Sequence, residues 1–123
     1  KRAPGAVMAL GKYRASESES AFQTWVIESA LWRKWSVFHV SDSRKGVGKG
    51  VFVGDELARG WPDLTLVRGT RMIFAELKTE KGEFKAGQEE WLGRLTAVAA
   101  GCDNIEVFVW RPSMRDEIMA VLE

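Results

Sequence analysis

The chain has 123 residues, 46% of them hydrophobic, and it includes six tryptophans and six phenylalanines. This composition is sufficient for one hydrophobic core, and the chain is too short to form two well-packed domains. The formal net charge is only +1, so any case for a polyanionic partner must depend on local clusters of charge rather than on the chain as a whole.

The first predicted element is a helix, which follows a loosely ordered segment at 1–15. Serines that can cap a helix and acids that suit its first turn alternate at 16–19, and Phe22 and Val26 follow at helical spacing. Together they predict a helix over about 18–34.

Three strands are predicted next. The first is short, at 37–40, and the glycine-rich, charged stretch that follows it at 41–60 is expected to form a loop. Strands at about 63–68 and 71–78 come after the loop and are joined by a tight turn at 69–70. Two strands with so short a connection are expected to pair as an antiparallel hairpin.

A second helix, a fourth strand and a third helix complete the pattern. A polar loop at 79–85 leads into a helix predicted at about 86–100. A strand follows at 105–110, and Ser113 can cap a last helix over 114–122. The predicted order is α-β-β-β-α-β-α, which indicates a single α/β domain.

Several functional classes lack the residues that they need. Cys102 is the one cysteine, which excludes an intrachain disulfide and a cysteine-rich zinc site. His39 is the one histidine, and no nucleophile-elbow pattern accompanies it. No apolar run approaches the roughly 18 residues of a membrane span, and no signal peptide is evident. We therefore expect a reducing, cytoplasmic location and no membrane partner.

The hairpin at 63–78 carries the most informative group of side chains. Asp63 follows a proline at the start of one strand, and Glu76 and Lys78 lie at the end of the next. Side chains alternate along a strand, so Glu76 and Lys78 share a face and the hairpin can bring Asp63 close to both. Two carboxylates and an ammonium suit the binding of a divalent metal and a water near a phosphate. A simple cross-strand ion pair is the alternative.

This Pro-Asp pair followed by Glu-x-Lys resembles the signature of PD-(D/E)xK nucleases, and the surrounding sequence is similar to the VRR-NUC branch of that superfamily. The likeness covers about 17–122 and is carried by 19–23, 26–28, Trp35, 39–44, 60–64, 74–78, 88–92 and 107–112. It implies a restriction-endonuclease-like α/β fold for a nuclease domain over 16–123. That fold has an αβββαβ core with a mixed central sheet and a C-terminal helix.

The resemblance also implies a function. Small stand-alone members resemble phage and bacterial enzymes that act as homodimers on branched DNA. We therefore expect a Mg²⁺- or Mn²⁺-dependent endodeoxyribonuclease that hydrolyses phosphodiester bonds in branched DNA, Holliday junctions above all, in a bacterium or a phage-infected host cell. Flap, fork or restriction-type cleavage, and a non-catalytic DNA-binding module of the same fold, are the alternatives.

Four neighbouring residues would form the centre of such a site. Asp63 and Glu76 would be the main metal ligands, and the backbone carbonyl of Leu77 would be a third, which leaves positions for a phosphate oxygen and a water. Lys78 would position or deprotonate that water and offset the charge that grows on the phosphate.

Two further residues would complete the catalytic group. Glu19, on the first helix, would join the acidic cluster directly or through a water. Glu17 is the competing register, and an ordinary charge at a helix N-terminus is the bland alternative. The amide of Gln88, early in the second helix, could hydrogen-bond the lysine, a water or the scissile phosphate. A surface glutamine is the alternative there.

Basic side chains near the glycine-rich loop are candidates for DNA phosphate contacts, since lysine and arginine neutralise phosphates and place a duplex. The candidates are Arg44, Lys45, Lys49 and Arg59, with His39 at the end of the preceding strand. A solvated charged loop and a structural histidine are the alternatives. The run at 46–50 is not a Walker loop, because Ser43 replaces its first glycine and Gly50 its Ser/Thr, so no nucleotide cofactor is expected.

Two tryptophans bear on assembly. Trp32 and Trp35 together exceed what a small core needs, which indicates a dimer interface. A two-fold dimer would place two sites on a symmetric junction. We therefore expect a homodimer.

Overall fold

The computed structural model describes residues 17–40 and 60–123. Within these ranges the elements are α1 (Glu19–Trp32), β1 (Ser36–His39), β2 (Leu64–Arg68), β3 (Arg71–Leu77), α2 (Gln88–Ala100), β4 (Ile105–Trp110), a 3₁₀ turn (Pro112–Met114) and α3 (Arg115–Leu122). The segment predicted to be loosely ordered and nearly all of the predicted glycine-rich loop lie outside the described ranges.

The order of elements is the predicted αβββαβ core followed by a C-terminal helix. β1, β2 and β3 pair in antiparallel fashion, and β4 pairs in parallel with β3, so the sheet is mixed and runs β1-β2-β3-β4. A parallel neighbour requires a crossover connection, which α2 provides. The restriction-endonuclease-like fold class expected from the sequence is thereby confirmed.

Local chemistry explains where the first two helices begin. The hydroxyl of Ser18 accepts a hydrogen bond from the backbone N–H of Ala21 at 3.0 Å and caps α1. α2 begins at Gln88, two residues later than predicted, because Gly87 has a left-handed backbone with φ of 84°. A helix cannot extend through that conformation.

The last helix differs from the prediction at its start. Pro112 opens a 3₁₀ turn, and α3 starts only at Arg115. Ser113 does not cap the helix; its backbone N–H donates to the side-chain carboxylate of Glu80 instead. The proline and the contact with a distant loop therefore shift the boundary by one residue.

One face of the sheet carries the hydrophobic core. The inward residues of β2 and β3 pack beneath the apolar faces of α1 and α3. This core contains Phe22, Trp25, Val26, Ala30, Trp35, Leu64, Leu66, Ile73, Ala75, Leu77, Trp110, Ile118 and Leu122. No helix among the described residues is long and apolar enough to cross a membrane.

Trp35 belongs to this core rather than to an exposed interface. It is 2% exposed, and its indole N–H donates to the carbonyl of Leu122 at 2.9 Å. The interpretation of Trp35 as a dimer-interface residue is wrong for this reason. Trp32, at the end of α1, is 41% exposed.

The opposite face of the sheet is covered in part by α2. Trp61 makes edge-to-face contacts with Phe74 of β3, at 5.6 Å between ring centroids, and with Trp91 of α2, at 4.8 Å. Burial is apolar almost throughout the described residues, and the three buried polar side chains there are Ser29, Glu76 and Lys78. Two of the three lie side by side on the α2 face.

Candidate active site

The sheet register brings Asp63 beside Glu76. Leu64 pairs with Ala75 in the antiparallel ladder, so the residue before Leu64 lies opposite the residue after Ala75. Asp63 is further fixed by its side chain, whose Oδ2 accepts a hydrogen bond from the backbone N–H of Leu77 at 2.8 Å. The carboxylate of Asp63 therefore contacts the end of β3, on the strand that carries Glu76.

Glu76 and Lys78 lie side by side at salt-bridge distance, and both are buried. Their side chains share a face of the strand, as i and i+2 residues do, and Lys78 Nζ lies 3.6 Å from Glu76 Oε2. Glu76 is 1% exposed and Lys78 is 4% exposed. Removing two charges from water is costly, so the burial indicates a purpose other than stability.

Gln88 connects the two members of this pair. Its side-chain oxygen accepts hydrogen bonds from Lys78 Nζ and from the backbone N–H of Lys85, both at 2.6 Å. Its side-chain N–H₂ donates to Glu76 Oε2 at 2.8 Å. Lys78 Nζ donates also to the carbonyl of Glu83 at 3.0 Å. The ammonium and one carboxylate oxygen are thus held in place by the first residue of α2.

Burial shifts the acid–base properties of both carboxylates upward. Burial raises the pKa of Glu76 to about 8, repulsion from Asp63 adds to the rise, and Lys78 opposes it. Burial likewise raises the pKa of Asp63, and the N–H of Leu77 opposes that rise. Each acid therefore favours the protonated form more than a solvent-exposed carboxyl group does.

The chemistry of these groups fits a divalent cation. Glu76 Oε1 is buried and has no hydrogen-bond partner among the described residues, and the charge of Asp63 is close enough to raise the pKa of Glu76. A hard cation would supply the missing charge and take both carboxylates as ligands, which is the preference of Mg²⁺ and Mn²⁺. The backbone carbonyl of Leu77 stays a predicted third ligand.

Glu19 lies near this pair but does not complete a three-residue cluster. Within 17–40 and 60–123, no group of three or more His, Cys, Asp or Glu side chains is arranged to hold a metal. Glu19 is exposed at the first position of α1, and its charge raises the pKa of both Asp63 and Glu76. It therefore acts on the site through space.

Glu17, the competing candidate, is engaged elsewhere. Both of its carboxylate oxygens accept hydrogen bonds from one guanidinium nitrogen of Arg115, at 2.7 and 2.9 Å. The same guanidinium lies 4.7 Å from the Trp25 ring centroid. This pairing ties Glu17 to α3, which favours Glu19 as the acid that the first helix offers to the site.

His39 lies close to the site, whereas the other candidate DNA contacts lie outside the described residues. His39 is exposed at the end of β1, pairs with Leu64 in the sheet, and lowers the pKa of Asp63 by its charge. The basic candidates of the glycine-rich loop fall outside the described residues; they are Arg44, Lys45, Lys49 and Arg59.

The structure adds a residue that sequence reasoning did not single out. One guanidinium nitrogen of Arg111 donates to the carbonyls of Thr79, Glu80 and Gly82, at 2.6, 3.1 and 3.0 Å. Arg111 therefore shapes the loop that follows Lys78. An arginine directly after a strand gave no local signal of this role, because its partners lie about thirty positions away in the chain.

Comparisons with known proteins give one finding. No protein-family model matches the chain, and no curated protein matches it. Among solved structures, the chain is similar to the 1.6 Å structure of Archaeoglobus fulgidus Hjc, a Holliday junction resolvase from an archaeal hyperthermophile. The likeness has a TM-score of 0.44 and 20% sequence identity, and covers 75% of this chain and 67% of that one. A likeness of this extent does not assign an activity.

Proposed function

We propose that this protein is a metal-dependent nuclease that hydrolyses phosphodiester bonds in DNA, of the VRR-NUC type that its residues resemble. The observation that carries the proposal is the group formed by half-buried Asp63 and buried Glu76 and Lys78, in which one oxygen of Glu76 has no hydrogen-bond partner among the described residues. Two carboxylates that repel each other in a largely desolvated site cost stability, and a bound cation would offset that cost.

Asp63 and Glu76, with the carbonyl of Leu77, would hold Mg²⁺ or Mn²⁺. When bound, the ion would polarise a phosphate oxygen and lower the pKa of a water molecule. Water would attack the phosphorus in line and lose a proton, the bond from phosphorus to the 3′-oxygen would break, and that oxygen would take up a proton from solvent, which yields a 5′-phosphate and a 3′-hydroxyl. The side chains of the protein contribute by holding Glu76 and Lys78 in fixed positions around the reacting phosphate.

Lys78 is the side chain best placed to act on the water. Its ammonium donates to the side-chain oxygen of Gln88 and to the carbonyl of Glu83, at 2.6 and 3.0 Å. The side chain of Lys78 is therefore already ordered before DNA binds. A fixed ammonium orients the water and offsets the negative charge that develops on the phosphate. Gln88 serves this step by fixing Lys78 and Glu76 relative to each other.

The geometry favours catalysis over simple DNA binding. A surface that only binds a polyanion gains nothing from two acids at its centre, since each repels phosphate. Here burial raises the pKa of both acids, so the fold holds each in its charged form at a cost. A non-catalytic binding module is therefore the weaker hypothesis.

The finer proposal is a homodimer that acts on branched DNA, Holliday junctions in particular. Its support is the residue-level resemblance described above. A two-fold pair of sites matches the symmetry of a four-way junction and would place one cut on each of two strands. The basic residues at 44, 45, 49 and 59, with His39, are the proposed phosphate contacts.

Cleavage of a labelled four-way junction beside a linear duplex of matching sequence tests the proposal. The comparison uses wild type, Asp63→Ala, and Asp103→Ala as a control at an exposed acid in the turn before β4, each with Mg²⁺, Mn²⁺ or EDTA. We expect metal-dependent, paired cutting of the junction by wild type and Asp103→Ala, and none by Asp63→Ala.

The other outcomes separate the parts of the proposal. Equal cutting of both substrates would keep the nuclease and refute the preference for junctions. Failure to cut either substrate with any metal, while DNA still binds, would refute the nuclease and favour the binding module. A monomer by native mass measurement would refute the dimer.

A further inference from the structure

Two glycines meet where the Asp63 segment touches the start of α2. A Cβ atom on Gly60 would lie 2.1 and 2.2 Å from the carbonyl carbon and oxygen of Gly87, and 2.4 Å from the backbone nitrogen of Gln88. All three neighbours are backbone atoms, which cannot turn aside as a flexible side chain can. The two chain segments therefore approach as closely as backbones do, and only glycine at position 60 permits it.

Gly87, on the other side of this contact, has a backbone conformation that favours glycine. Its φ of 84° is left-handed, a conformation that glycine adopts without steric cost and that other residues avoid. Its carbonyl accepts the N–H of Trp91 at 3.0 Å and so begins the helix. The contact with Gly60 thus fixes the first turn of α2.

Gln88 is the first residue of α2, so the position of this first turn determines which groups the side chain of Gln88 can hydrogen-bond. Its three hydrogen bonds, to Lys78, Lys85 and Glu76, span 2.6 to 2.8 Å. Such bonds weaken beyond about 3.2 Å. A Cβ on Gly60 would push the backbones apart by roughly 0.9 Å, the difference between 3.0 and 2.1 Å, since Cβ contacts under 3.0 Å essentially never occur.

We infer that Gly60 and Gly87 are positioning residues whose direct contact sets the depth of Gln88 between Glu76 and Lys78. We call this contact the glycine seat. It acts through the backbone of α2 and touches neither metal nor DNA. The inference rests on the proposed function for its effect on catalysis, but the placement of Gln88 is measurable without any activity.

The aromatic contacts nearby offer a competing explanation. Trp61 follows Gly60 directly and packs against Trp91, one turn into α2. If that packing set the position of α2, the contact between Gly60 and Gly87 would not be needed to position the helix. The two explanations differ in what Trp61→Phe does, because that change keeps both glycines and reduces only the aromatic contact.

The test uses the side-chain amide of Gln88 as a reporter, observed by ¹⁵N NMR in metal-free protein. Gly60→Ala should shift the Gln88 amide signals and speed their exchange with water. Gly93→Ala is the matched control, since Gly93 lies on α2 with nothing within 4 Å of an added Cβ, and should leave the signals unchanged. Trp61→Phe should leave them unchanged as well.

DNA cleavage by the same variants adds the functional result. Gly60→Ala should cut roughly 10- to 100-fold more slowly than wild type with DNA binding retained, because a misplacement of about 1 Å near the reacting groups can cost about 10²-fold. Gly93→Ala should cut at the wild-type rate. If Gly60→Ala does not fold alone, the double variant with Gly93→Ala provides a background with better helix propensity.

The possible failures are distinct. Unchanged Gln88 signals in folded Gly60→Ala, or shifted signals in Trp61→Phe, would overturn the inference whatever the enzyme does. If Gly60→Ala folds in neither background, the Trp61→Phe result decides. Shifted signals in Gly60→Ala with no cleavage by wild type would keep the glycine seat and refute the proposed nuclease.

Discussion

Among the described residues, Glu76 combines the largest resolved pKa change with a buried carboxylate oxygen that has no hydrogen-bond partner. Burial and the charge of Asp63 raise its pKa to about 8, Gln88 satisfies one of its oxygens, and the other has no partner among the described residues. In the absence of a metal, the neutral form of this side chain is the one that the fold accommodates.

This predicts how metal-free stability depends on pH. The ordinary pKa of Glu76 is 4.5, which describes the unfolded chain, and the folded value is about 8. Between those pH values the folded protein holds a proton that the unfolded chain has lost, so stability falls as the pH rises from 4.5 to 8. Urea unfolding in EDTA at several pH values measures it.

Glu76→Gln isolates the contribution of this residue. The amide does not titrate, so the variant should lose stability less steeply over the same pH range and exceed wild type at pH 8. Identical pH profiles for wild type and variant would show that Glu76 keeps an ordinary pKa.

Gln88 yields a second prediction at the same scale. Gln88→Ala removes one acceptor of Lys78 Nζ and the amide that donates to Glu76 Oε2, and leaves Lys78 Nζ with the carbonyl of Glu83 as its hydrogen-bond acceptor. The expected cost is about 1–3 kcal/mol in the free energy of unfolding, with a loss of cleavage. Gln23→Ala, on α1, is the control and should change stability by less than about 0.5 kcal/mol. Equal effects of the two would contradict the bridging role.

At the scale of elements, the N-terminus of α1 depends on a contact with α3. Arg115 pairs with Glu17 and lies over the rings of Phe22 and Trp25, at 5.7 and 4.7 Å from their centroids. This contact orders the residues just ahead of Glu19. The start of α1, where Glu19 lies, is therefore tied to the last helix of the chain.

Arg115→Met tests that dependence. It removes the ion pair and the stacking from a largely buried location, so a loss of about 1–3 kcal/mol in unfolding free energy is expected. Arg94→Met breaks the exposed pair with Glu90 on α2 and should cost under about 0.5 kcal/mol. Chemical denaturation compares them, and a cost for Arg94→Met that matches Arg115→Met would contradict the structural assignment.

The elements also show what a sequence can and cannot predict. Alternation along β3 predicts that Glu76 and Lys78 share a face, because that geometry is local. Trp35 was misread because Lys34 adopts a left-handed φ of 72°, which turns the chain after α1 and sends Trp35 inward. Nothing in the residue types announces a left-handed lysine. Likewise, the contact between Gly60 and Gly87 joins residues far apart in sequence.

At the scale of the whole molecule, the sheet separates stability from chemistry. One face holds the core beneath α1 and α3, and the other holds the charged group beside the start of α2. Leu77 packs in the core, whereas Glu76 and Lys78, on either side of it in the chain, lie on the opposite face of the sheet. The core can therefore tolerate a destabilising site on the opposite face, up to the margin that the core provides.

Binding of a divalent cation should offset part of the destabilisation that the two carboxylates cause, and this is the last prediction. A ligand that binds only the folded state stabilises it by RT ln(1 + [L]/Kd), or about 2.7 kcal/mol at one hundred times Kd. Thermal unfolding with Mg²⁺ or Mn²⁺ against EDTA should therefore show a rise in Tm for wild type. Asp63→Asn keeps an oxygen for the N–H of Leu77 but loses the charge, so the rise should shrink or vanish. An equal rise in both proteins would mean that the cation binds elsewhere, because the interaction of Asp63 with a cation depends on its negative charge.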